Sequence, residues 1–132
     1  MITFDGFVMQ EGSPIYLQIL MYIKRGIIAG FIKDGDELPS RRVLSALLGV
    51  NPNTVQKAYR QLEEEGLIQS RAGAKSYVAI TEELLGSIRK ELLEEDAKGV
   101  VRSLKFMGVS KEEAHELINK YWEEEFFGAE DV

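Results

Sequence analysis

Two short helical patterns between Ser40 and Gly66, joined by only three residues, constrain the fold more than any other feature of the sequence. Ser40 is a favoured helix cap, and Gly49 can adopt the left-handed conformation that ends a helix. Asn51 can cap the next helix, and Pro52 fits its first position because no backbone donor is needed there. Two short helices joined by a tight, glycine-containing turn are typical of the helix-turn-helix motif.

The spacing of apolar residues predicts which face of each helix is buried. For the first of the two helices it predicts an inward face formed by Leu44, Leu47 and Leu48. The residues left to solvent are Arg41, Arg42 and Ser45. The helix after the turn, which is the third helix of the chain, has one apolar stripe at helical spacing, formed by Val55, Ala58, Tyr59 and Leu62. Its opposite face then carries Asn53, Lys57, Arg60 and Glu64, flanked by Thr54, Gln56 and Gln61.

An earlier helix and a later hairpin complete the predicted domain. Ser13 and Pro14 mark a helix start, an apolar stripe with helical spacing follows, and Gly30 marks the end. Residues 67–70 and 77–80 have strand composition and read as a hairpin. The tip of this hairpin carries Arg71, Gly73 and Lys75. Three helices followed by a hairpin with a basic tip predict a winged helix-turn-helix domain.

The chain beyond Thr81 reads as two amphipathic helices. Gly99 is a position at which the first of them can kink or divide, and periodicity does not decide whether it does. Ser110 opens the second with a capping-box sequence. A two-helix unit of about 50 residues cannot bury its apolar stripes alone, so we predict that a second copy of the chain covers them. Packing wholly within one chain is the alternative. The residues predicted at the dimer contact are Leu85, Ile88, Leu92, Leu117, Ile118, Tyr121 and Trp122.

The predicted fold class is therefore mainly α with a small β-hairpin. A winged helix-turn-helix domain in residues 1–81 precedes a C-terminal two-helix dimerisation appendage in residues 82–132. The net charge of −6 is distributed unevenly between these parts. Residues 1–81 contain nine Lys and Arg against eight Asp and Glu, a net charge of +1, whereas residues 82–132 contain seven against fourteen, a net charge of −7. The overall acidity thus does not argue against a polyanionic partner for the first part.

The composition also excludes several classes of protein and site. Without cysteine there is no disulfide and no thiolate metal site, and a cytoplasmic setting is expected. The N-terminus lacks the pattern of a signal peptide, and no apolar run is long enough to span a membrane. We find no nucleophile with a plausible general base, and the single histidine, His115, lacks companion ligands. No enzyme activity, catalytic residue, cofactor or metal is expected, and whether a small-molecule effector binds stays open.

The exposed side chains of the third helix have the chemistry that reads double-stranded DNA. Asn and Gln can pair with adenine, Thr can contact a thymine methyl group, and Lys can reach guanine or phosphate. Since the N-terminal half of such a helix does the reading, we predict base contacts from Asn53, Thr54, Gln56 and Lys57. Phosphate contacts are predicted for Ser40, Arg41, Arg42 and Arg60. At the hairpin tip, Arg71 and Lys75 are predicted to reach the DNA backbone or the minor groove, and Gly73 permits the close approach. The alternative is a winged-helix adaptor that binds an acidic protein and has no sequence-specific affinity for DNA.

These segments resemble a known family. "PIYLQI", "GDELPSRRVLSALLGVNPNTVQKAYRQLEEEGLI" and the hairpin that follows are similar to the GntR family of bacterial-type transcriptional regulators, across about the first 80 residues. The short two-helix tail resembles the YtrA-like subfamily, whose members lack the large effector domains of their relatives. The resemblance implies a homodimer on an inverted-repeat operator, typically repressing a small operon that often encodes ABC transporter components.

The resemblance also assigns residues by position. Arg42 matches the basic residue early in the second helix, Thr54 matches a hydroxyl of the recognition helix, and Gly73 matches the wing glycine. Many relatives carry Arg where this chain has Pro52, and often Arg where it has Gln56, so two candidates for guanine reading are absent. Metal-dependent effector domains in other branches use several histidines, and this chain has one.

Overall fold

The computed structural model describes residues 1–71 and 75–124. Five helices and three short strands lie in this part of the chain. In chain order they are α1 (Ile15–Ala29), β1 (Glu37–Leu38), α2 (Arg41–Leu48), α3 (Pro52–Glu64), β2 (Ile68–Arg71), β3 (Lys75–Val78), α4 (Glu82–Phe106) and α5 (Lys111–Trp122). The predicted class, mainly helical with a small β-hairpin, is confirmed.

Local capping explains where three of the helices begin. The backbone N–H of Val43 donates to the Ser40 hydroxyl at 3.1 Å, and that of Asn53 donates to the Asn51 side chain at 2.8 Å. Ser110 caps α5 in the same way. Because each cap satisfies a backbone donor that the helix leaves free, it fixes the helix start. The predicted caps at Ser40, Asn51 and Ser110 are confirmed.

The predicted start of α1 is wrong by one residue. Pro14, and not Ser13, occupies the N-cap position, and it makes no side-chain cap bond. The Gln18 side chain instead attaches the preceding segment to the first turn of α1. It accepts a hydrogen bond from the backbone N–H of Gln10 and donates to the carbonyls of Gln10 and Ser13. The far end of α1 is as expected, since Gly30 has φ 87° and closes the helix in the left-handed conformation.

The hairpin is confirmed, with strands displaced from the predicted ranges. The sheet is antiparallel in the order β1-β3-β2, with Arg71 opposite Lys75 and Glu37 opposite Tyr77. Ile80 leaves the sheet because its N–H donates to the Asp34 carboxylate at 2.7 Å. The sheet also gains a strand that the predicted hairpin lacks, since Glu37–Leu38 forms β1 and pairs with β3. Gly73 at the predicted tip lies outside the described residues.

One hydrophobic core joins the first three helices to the sheet. From α1 it contains Ile19, Leu20, Ile23 and Ile27, and from α3 it contains the whole predicted stripe of Val55, Ala58, Tyr59 and Leu62. The sheet and the segments beside it contribute Leu38, Leu67, Ile68 and Val78. All four α3 residues have 0% of their surface exposed. Their complete burial fixes the rotation of α3 about its axis.

The predicted faces of α2 need two corrections. Leu47, expected to be buried, has 70% of its surface exposed, whereas Ser45, expected to be in solvent, is buried. The Ser45 hydroxyl donates to the backbone carbonyl of Val50 at 2.7 Å. This bond satisfies a carbonyl of the turn between α2 and α3, and Leu44 provides the apolar contact with the core.

The N-terminal segment adds contacts that the sequence did not predict. Ile2 and Phe4 are buried, and the Ile2 N–H donates to the Glu37 carbonyl at 2.8 Å beside β1. The ring of Phe4 stacks on Tyr22 of α1 with centroids 4.9 Å apart, and Phe7 meets the same ring edge-on. Desolvation raises the pKa of Tyr22, and the nearby Asp5 carboxylate adds to the effect.

Helix α4 is continuous through Gly99. It begins at a cap in which the Leu84 N–H donates to the Thr81 hydroxyl at 3.1 Å. Packing divides the chain into two compact units, Met1–Arg89 and a second that begins at Lys90. Ile88 belongs to the core of the first unit, and Leu85 packs against that core. The functional boundary after Thr81 stays a prediction.

The second unit is less buried. Leu92 is buried. On α5 four large side chains are exposed, by 36% for Leu117, 43% for Ile118, 39% for Tyr121 and 77% for Trp122. Within residues 1–71 and 75–124, no helix has the length and apolar character needed to cross a membrane. The same residues contain no group of three or more side chains suited to hold a metal ion.

A buried ion pair links α1 to the end of α3, and its removal is expected to cost stability. Lys24 Nζ donates to Glu65 Oε1 at 2.6 Å, with the Lys24 side chain 5% exposed. Replacing Glu65 by Gln leaves the buried ammonium without its counter-charge. We expect Glu65→Gln to lower the free energy of unfolding by about 1–3 kcal/mol in urea titrations. The matched change Glu64→Gln, at an exposed neighbour, should stay within about 0.5 kcal/mol of the parent. Equal losses for the two variants would contradict the role of the pair.

Candidate nucleic-acid interface

The outer face of α3 presents the predicted reading residues. Asn53, Lys57 and Arg60 are exposed, and Thr54 and Gln56 are partly exposed beside them. Since the opposite face of the helix is completely buried, these side chains project from a rigid support. They provide two amides, a hydroxyl, an ammonium and a guanidinium along about two turns of helix. This is the mixture of donors and acceptors that base edges and phosphates require.

Lys57 does not extend freely into solvent. Its Nζ atom lies 4.0 Å from the centroid of the Tyr16 ring, which belongs to α1. Tyr16 is itself partly buried and packs against the core. A cation over the face of an aromatic ring is attracted by the negative potential of that face. The ring therefore holds the ammonium at one place beside α3.

The start of α2 brings two arginines next to a helix N-terminus. Arg42 is exposed, as predicted, and the Ser40 side chain that caps the helix is exposed beside it. Arg41 is only partly exposed, because its guanidinium carbon lies 5.1 Å from the centroid of the Tyr59 ring. Its Nε atom is buried and has no hydrogen-bond partner among the residues described. Arg42 is thus more available to a ligand than Arg41.

Tyr59 connects this region to the core. Its hydroxyl donates a hydrogen bond of 2.7 Å to the carbonyl of Pro39, which immediately precedes the α2 cap. Burial raises the pKa of Tyr59 well above its ordinary value, although the Arg41 guanidinium acts in the opposite direction. The phenol therefore stays protonated and keeps its donor. A single side chain of α3 thus fixes the position at which α2 begins.

The outer face of the sheet carries the hairpin cations. Arg71 and Lys75 are opposite each other in register, and Tyr77 and Gln69 form the next pair on the same face. The guanidinium carbon of Arg71 lies 4.5 Å from the centroid of the Tyr77 ring. Lys75 Nζ is 4.0 Å from a carboxylate oxygen of Glu37. Both cations are exposed.

The three glutamates that follow the reading residues are mostly engaged elsewhere. Glu63 accepts a hydrogen bond of 3.0 Å from the Ser70 hydroxyl, and Glu65 forms the ion pair with Lys24. Glu64 is exposed. The carboxylates gather at the C-terminal end of α3, several turns from Asn53. The N-terminal half of the helix therefore presents no acidic side chain to an approaching polyanion.

Sequence reasoning placed the cations but missed their supports. No surface role was predicted for Tyr16 of α1, and Tyr77 was predicted only as a strand residue. The signal for Tyr77 lies in the hairpin register, because Arg71 is its diagonal neighbour on one face. For Tyr16 there is no local signal, because its contact with Lys57 depends on how α1 packs against α3.

The second unit contains an apolar groove between α4 and α5. Its volume is about 400 Å³, and its apolar lining includes Val100, Leu104 and Ile118. His115 also lines it, beside lysines, so the histidine does not belong to a cluster of metal-ligating side chains in the described part of the chain. The groove and the exposed side chains of α5 form one face of this unit that its own residues do not cover.

Known proteins share both the sequence and the fold. The pattern described as "Bacterial regulatory proteins, gntR family" matches residues 15–78. The "Uncharacterized HTH-type transcriptional regulator YhcF" of Bacillus subtilis is 34% identical over 114 residues, which cover 86% of this chain and 94% of that protein. The "HTH-type transcriptional repressor YtrA" of the same organism is 35% identical over 112 residues, which cover 84% of this chain and 86% of YtrA.

A solved structure extends the similarity to the fold. The "GntR family transcriptional regulator from Listeria monocytogenes" superimposes with a TM-score of 0.74 and is 29% identical, and the match covers 85% of this chain and 98% of that one. Both curated relatives align beyond the matched winged region, into the short helical tail. The chain therefore belongs to the GntR family, in its YtrA-like subfamily, and is a DNA-binding transcriptional regulator and not an enzyme.

Proposed function

We propose that the chain acts as a homodimeric repressor in the cytoplasm that binds an inverted-repeat operator, with one copy of α3 in the major groove of each half-site. The observation that carries the proposal is the exposed polar row in the first half of α3, opposite a completely buried stripe. The relative YtrA, which is named a repressor, supports the direction of regulation. A repressor of this kind acts by occupying DNA that the transcription machinery needs.

Each reading residue has a distinct task in this proposal. Asn53 and Gln56 can each give two hydrogen bonds to adenine, and Thr54 can contact a thymine methyl group or donate its hydroxyl. Lys57 can reach the acceptors of guanine or a phosphate. Positions 52 and 56 carry proline and glutamine and not arginine, so Lys57 is the one cation among the predicted reading residues, Asn53, Thr54, Gln56 and Lys57. We therefore expect contacts with A·T pairs to contribute most to the specificity of α3.

A second set of residues fixes the register of the protein on the duplex by binding phosphates. We assign this task to the α2 start, the middle of α3 and the hairpin, through Ser40, Arg41, Arg42, Arg60, Arg71, Gly73 and Lys75. Phosphate contacts of this kind supply affinity without sequence information, and they make binding strongly dependent on salt. Arg42 is the more exposed of the two α2 arginines, so it should contribute more than Arg41 to the affinity for DNA.

The proposed dimer contact uses the second unit. Leu117, Ile118, Tyr121 and Trp122 are all exposed on α5, and the apolar groove beside them is open. A contiguous exposed apolar surface usually marks a protein contact. Leu85, Ile88 and Leu92, which we also predicted at the contact, are already half-buried or buried within one chain. We therefore assign the energetic centre of the dimer to α5.

Our proposal for the regulated genes rests on the family resemblance alone. We propose a small operon that encodes ABC transporter components, as is frequent for YtrA-like regulators. The adaptor alternative is not retained, because it denies sequence-specific DNA binding to a chain that belongs to a family of DNA-binding regulators.

Selection of bound sequences from a pool of random duplexes tests the proposal directly. A two-fold symmetric dimer should enrich an inverted repeat whose half-site centres are separated by about one helical turn, 10–10.5 base pairs, or a multiple of it. Sequencing the enriched pool measures both symmetry and spacing. Enrichment of an unsymmetrical site, or of no site, would contradict a dimer that reads two half-sites.

Charge-removing variants test the docking surface on the selected operator. We expect Lys57→Ala and Arg42→Ala each to weaken binding, by about 1–3 kcal/mol where a base contact is lost. Each should also reduce the magnitude of the salt slope by about 1, because one phosphate contact disappears. Fluorescence anisotropy over a range of salt concentrations measures both quantities.

The matched control for these variants is Lys98→Ala. It removes the same charge from an exposed position on α4 that has no part in the proposed contact with DNA. It should bind the operator with the affinity and salt slope of the parent. Parent-like binding by both Lys57→Ala and Arg42→Ala would show that α3 and α2 do not face the duplex.

A charge placed on α5 tests the dimer. Ile118→Glu should weaken self-association by about tenfold or more, because a carboxylate in an apolar contact loses its hydration. Asn119→Glu adds the same charge at the adjacent position, outside the apolar row, and should associate like the parent. Sedimentation equilibrium measures the association. A monomeric parent would refute the dimer outright, and so would equal association of Ile118→Glu and the parent.

A further inference from the structure

Three cations of the proposed DNA-binding surface lie over tyrosine rings, and in each pair the ring belongs to a different helix or strand from the cation. Lys57 lies over Tyr16, Arg71 over Tyr77 and Arg41 over Tyr59. We infer that Tyr16 and Tyr77 are positioning residues, which hold Lys57 and Arg71 in the orientation in which they meet DNA. This inference rests on the proposed function, because it takes those two cations as DNA contacts.

The contact between Lys57 and Tyr16 joins two different helices. Tyr16 is in the first turn of α1 and packs against the core, so its ring has a fixed position. Lys57 lies in the middle of α3, and its side chain is exposed except for this contact at 4.0 Å. Lysine has one of the largest rotamer entropies of all side chains. A ring that restricts those rotamers before binding reduces the entropy lost when the ammonium meets its target.

An aromatic support leaves the charge of the cation intact. A carboxylate partner would also restrict the lysine, but it would cancel the charge that attracts a phosphate and would be repelled by the duplex. Lys24 shows this other arrangement, since it is buried and paired with Glu65. Within the described residues, neither Lys57 nor Arg71 forms an ion pair. These two cations are therefore oriented without being neutralised.

The hairpin repeats the arrangement within a sheet. Arg71 and Tyr77 are diagonal neighbours on the outer face, and the guanidinium carbon is 4.5 Å from the ring centroid. Tyr77 is in the central strand and pairs with Glu37 on one side and Gln69 on the other, so its backbone is held on both edges. Arg71 lies at the end of an edge strand. The Tyr77 ring of the central strand β3 therefore contacts and orients Arg71 at the end of the edge strand β2.

Tyr59 is not included in the inference as a positioning residue. It is completely buried, and its hydroxyl holds Pro39, so its replacement would disturb the core and the start of α2 together. Effects on DNA binding at this position could not be separated from effects on folding. Tyr16 and Tyr77 are partly exposed and can be changed with smaller consequences for the core.

A double-mutant cycle tests the inference for Tyr16. Operator affinity is measured by fluorescence anisotropy for the parent, Tyr16→Leu, Lys57→Met and the double variant, with the duplex selected by the parent. We expect Tyr16→Leu to weaken binding by about two- to fivefold in the parent, the range of an exposed cation–π contact. In the Lys57→Met background the same change should have no further effect, because no cation remains to be held.

Two further readouts separate positioning from loss of charge or fold. Tyr16→Leu should keep the salt slope of the parent, whereas Lys57→Met should reduce its magnitude by about 1. Tyr16→Phe retains the ring and should restore most of the affinity lost in Tyr16→Leu. Tyr22→Leu is the matched control, because Tyr22 is a partly buried tyrosine of the same helix whose ring packs on Phe4 and Phe7. It should show no coupling with Lys57, whatever its effect on thermal unfolding.

The outcomes distinguish the inference from the proposed function. If Lys57→Met weakens operator binding but the effects of Tyr16→Leu and Lys57→Met on affinity are additive, the inference is overturned and the proposed function is not. The same holds if Tyr16→Phe fails to restore operator affinity. If Lys57→Met binds the operator like the parent, Lys57 does not contact DNA and the inference for Tyr16 is overturned. Enrichment of an operator by the parent would still support the proposed repressor in that case. The cycle of Tyr77→Leu and Arg71→Met provides the second test, with the same pattern expected.

Discussion

The complete burial of one side of α3 is the constraint on which the proposed DNA-binding surface depends. Val55, Ala58, Tyr59 and Leu62 have no exposed surface, so α3 cannot rotate about its axis without opening the core. A shift of the buried stripe by one residue would turn the helix by about 100° and replace its outer face. Tyr59 extends this control to α2 through its hydrogen bond with Pro39. The position of the polar row is therefore a consequence of hydrophobic packing and needs no contact of its own.

The arrangement of charges explains how a chain with a net charge of −6 can bind a polyanion. The carboxylates near α3 are used within the fold, since Glu63 accepts from Ser70 and Glu65 neutralises the buried Lys24. Two of the cations on the outer surface are not paired with a carboxylate in the described part of the chain. Lys57 and Arg71 contact aromatic rings, which orient them and leave their charge to act on the surroundings. Local neutralisation, and not the total charge, thus decides which surface attracts DNA.

Features that depend on neighbouring residues could be predicted from the sequence, and features that depend on packing across the fold could not. The caps at Ser40, Asn51 and Ser110 and the stripe of α3 follow from local hydrogen bonding and helical periodicity. The prediction for α2 was wrong at Leu47 and Ser45, because a helix of eight residues has too few turns to define a face and because the hydroxyl of Ser45 binds a turn carbonyl. Strand β1, the buried Ile2 and the ring under Lys57 all arise from contacts between distant segments, for which periodicity gives no signal.

The residues at positions 52 and 56 of α3 should affect sequence preference more than overall affinity. Side chains that bind phosphates determine affinity, and side chains that meet base edges determine sequence preference. Arg42 and Arg60 are exposed, so in the proposed docking the attraction to the duplex does not depend on the residues at positions 52 and 56. Proline at position 52 cannot read a base through its side chain, but it fits the first turn of α3 and leaves Asn51 free to cap it. The absence of arginine at positions 52 and 56 should therefore affect which operator is chosen and leave the proposed docking geometry unchanged.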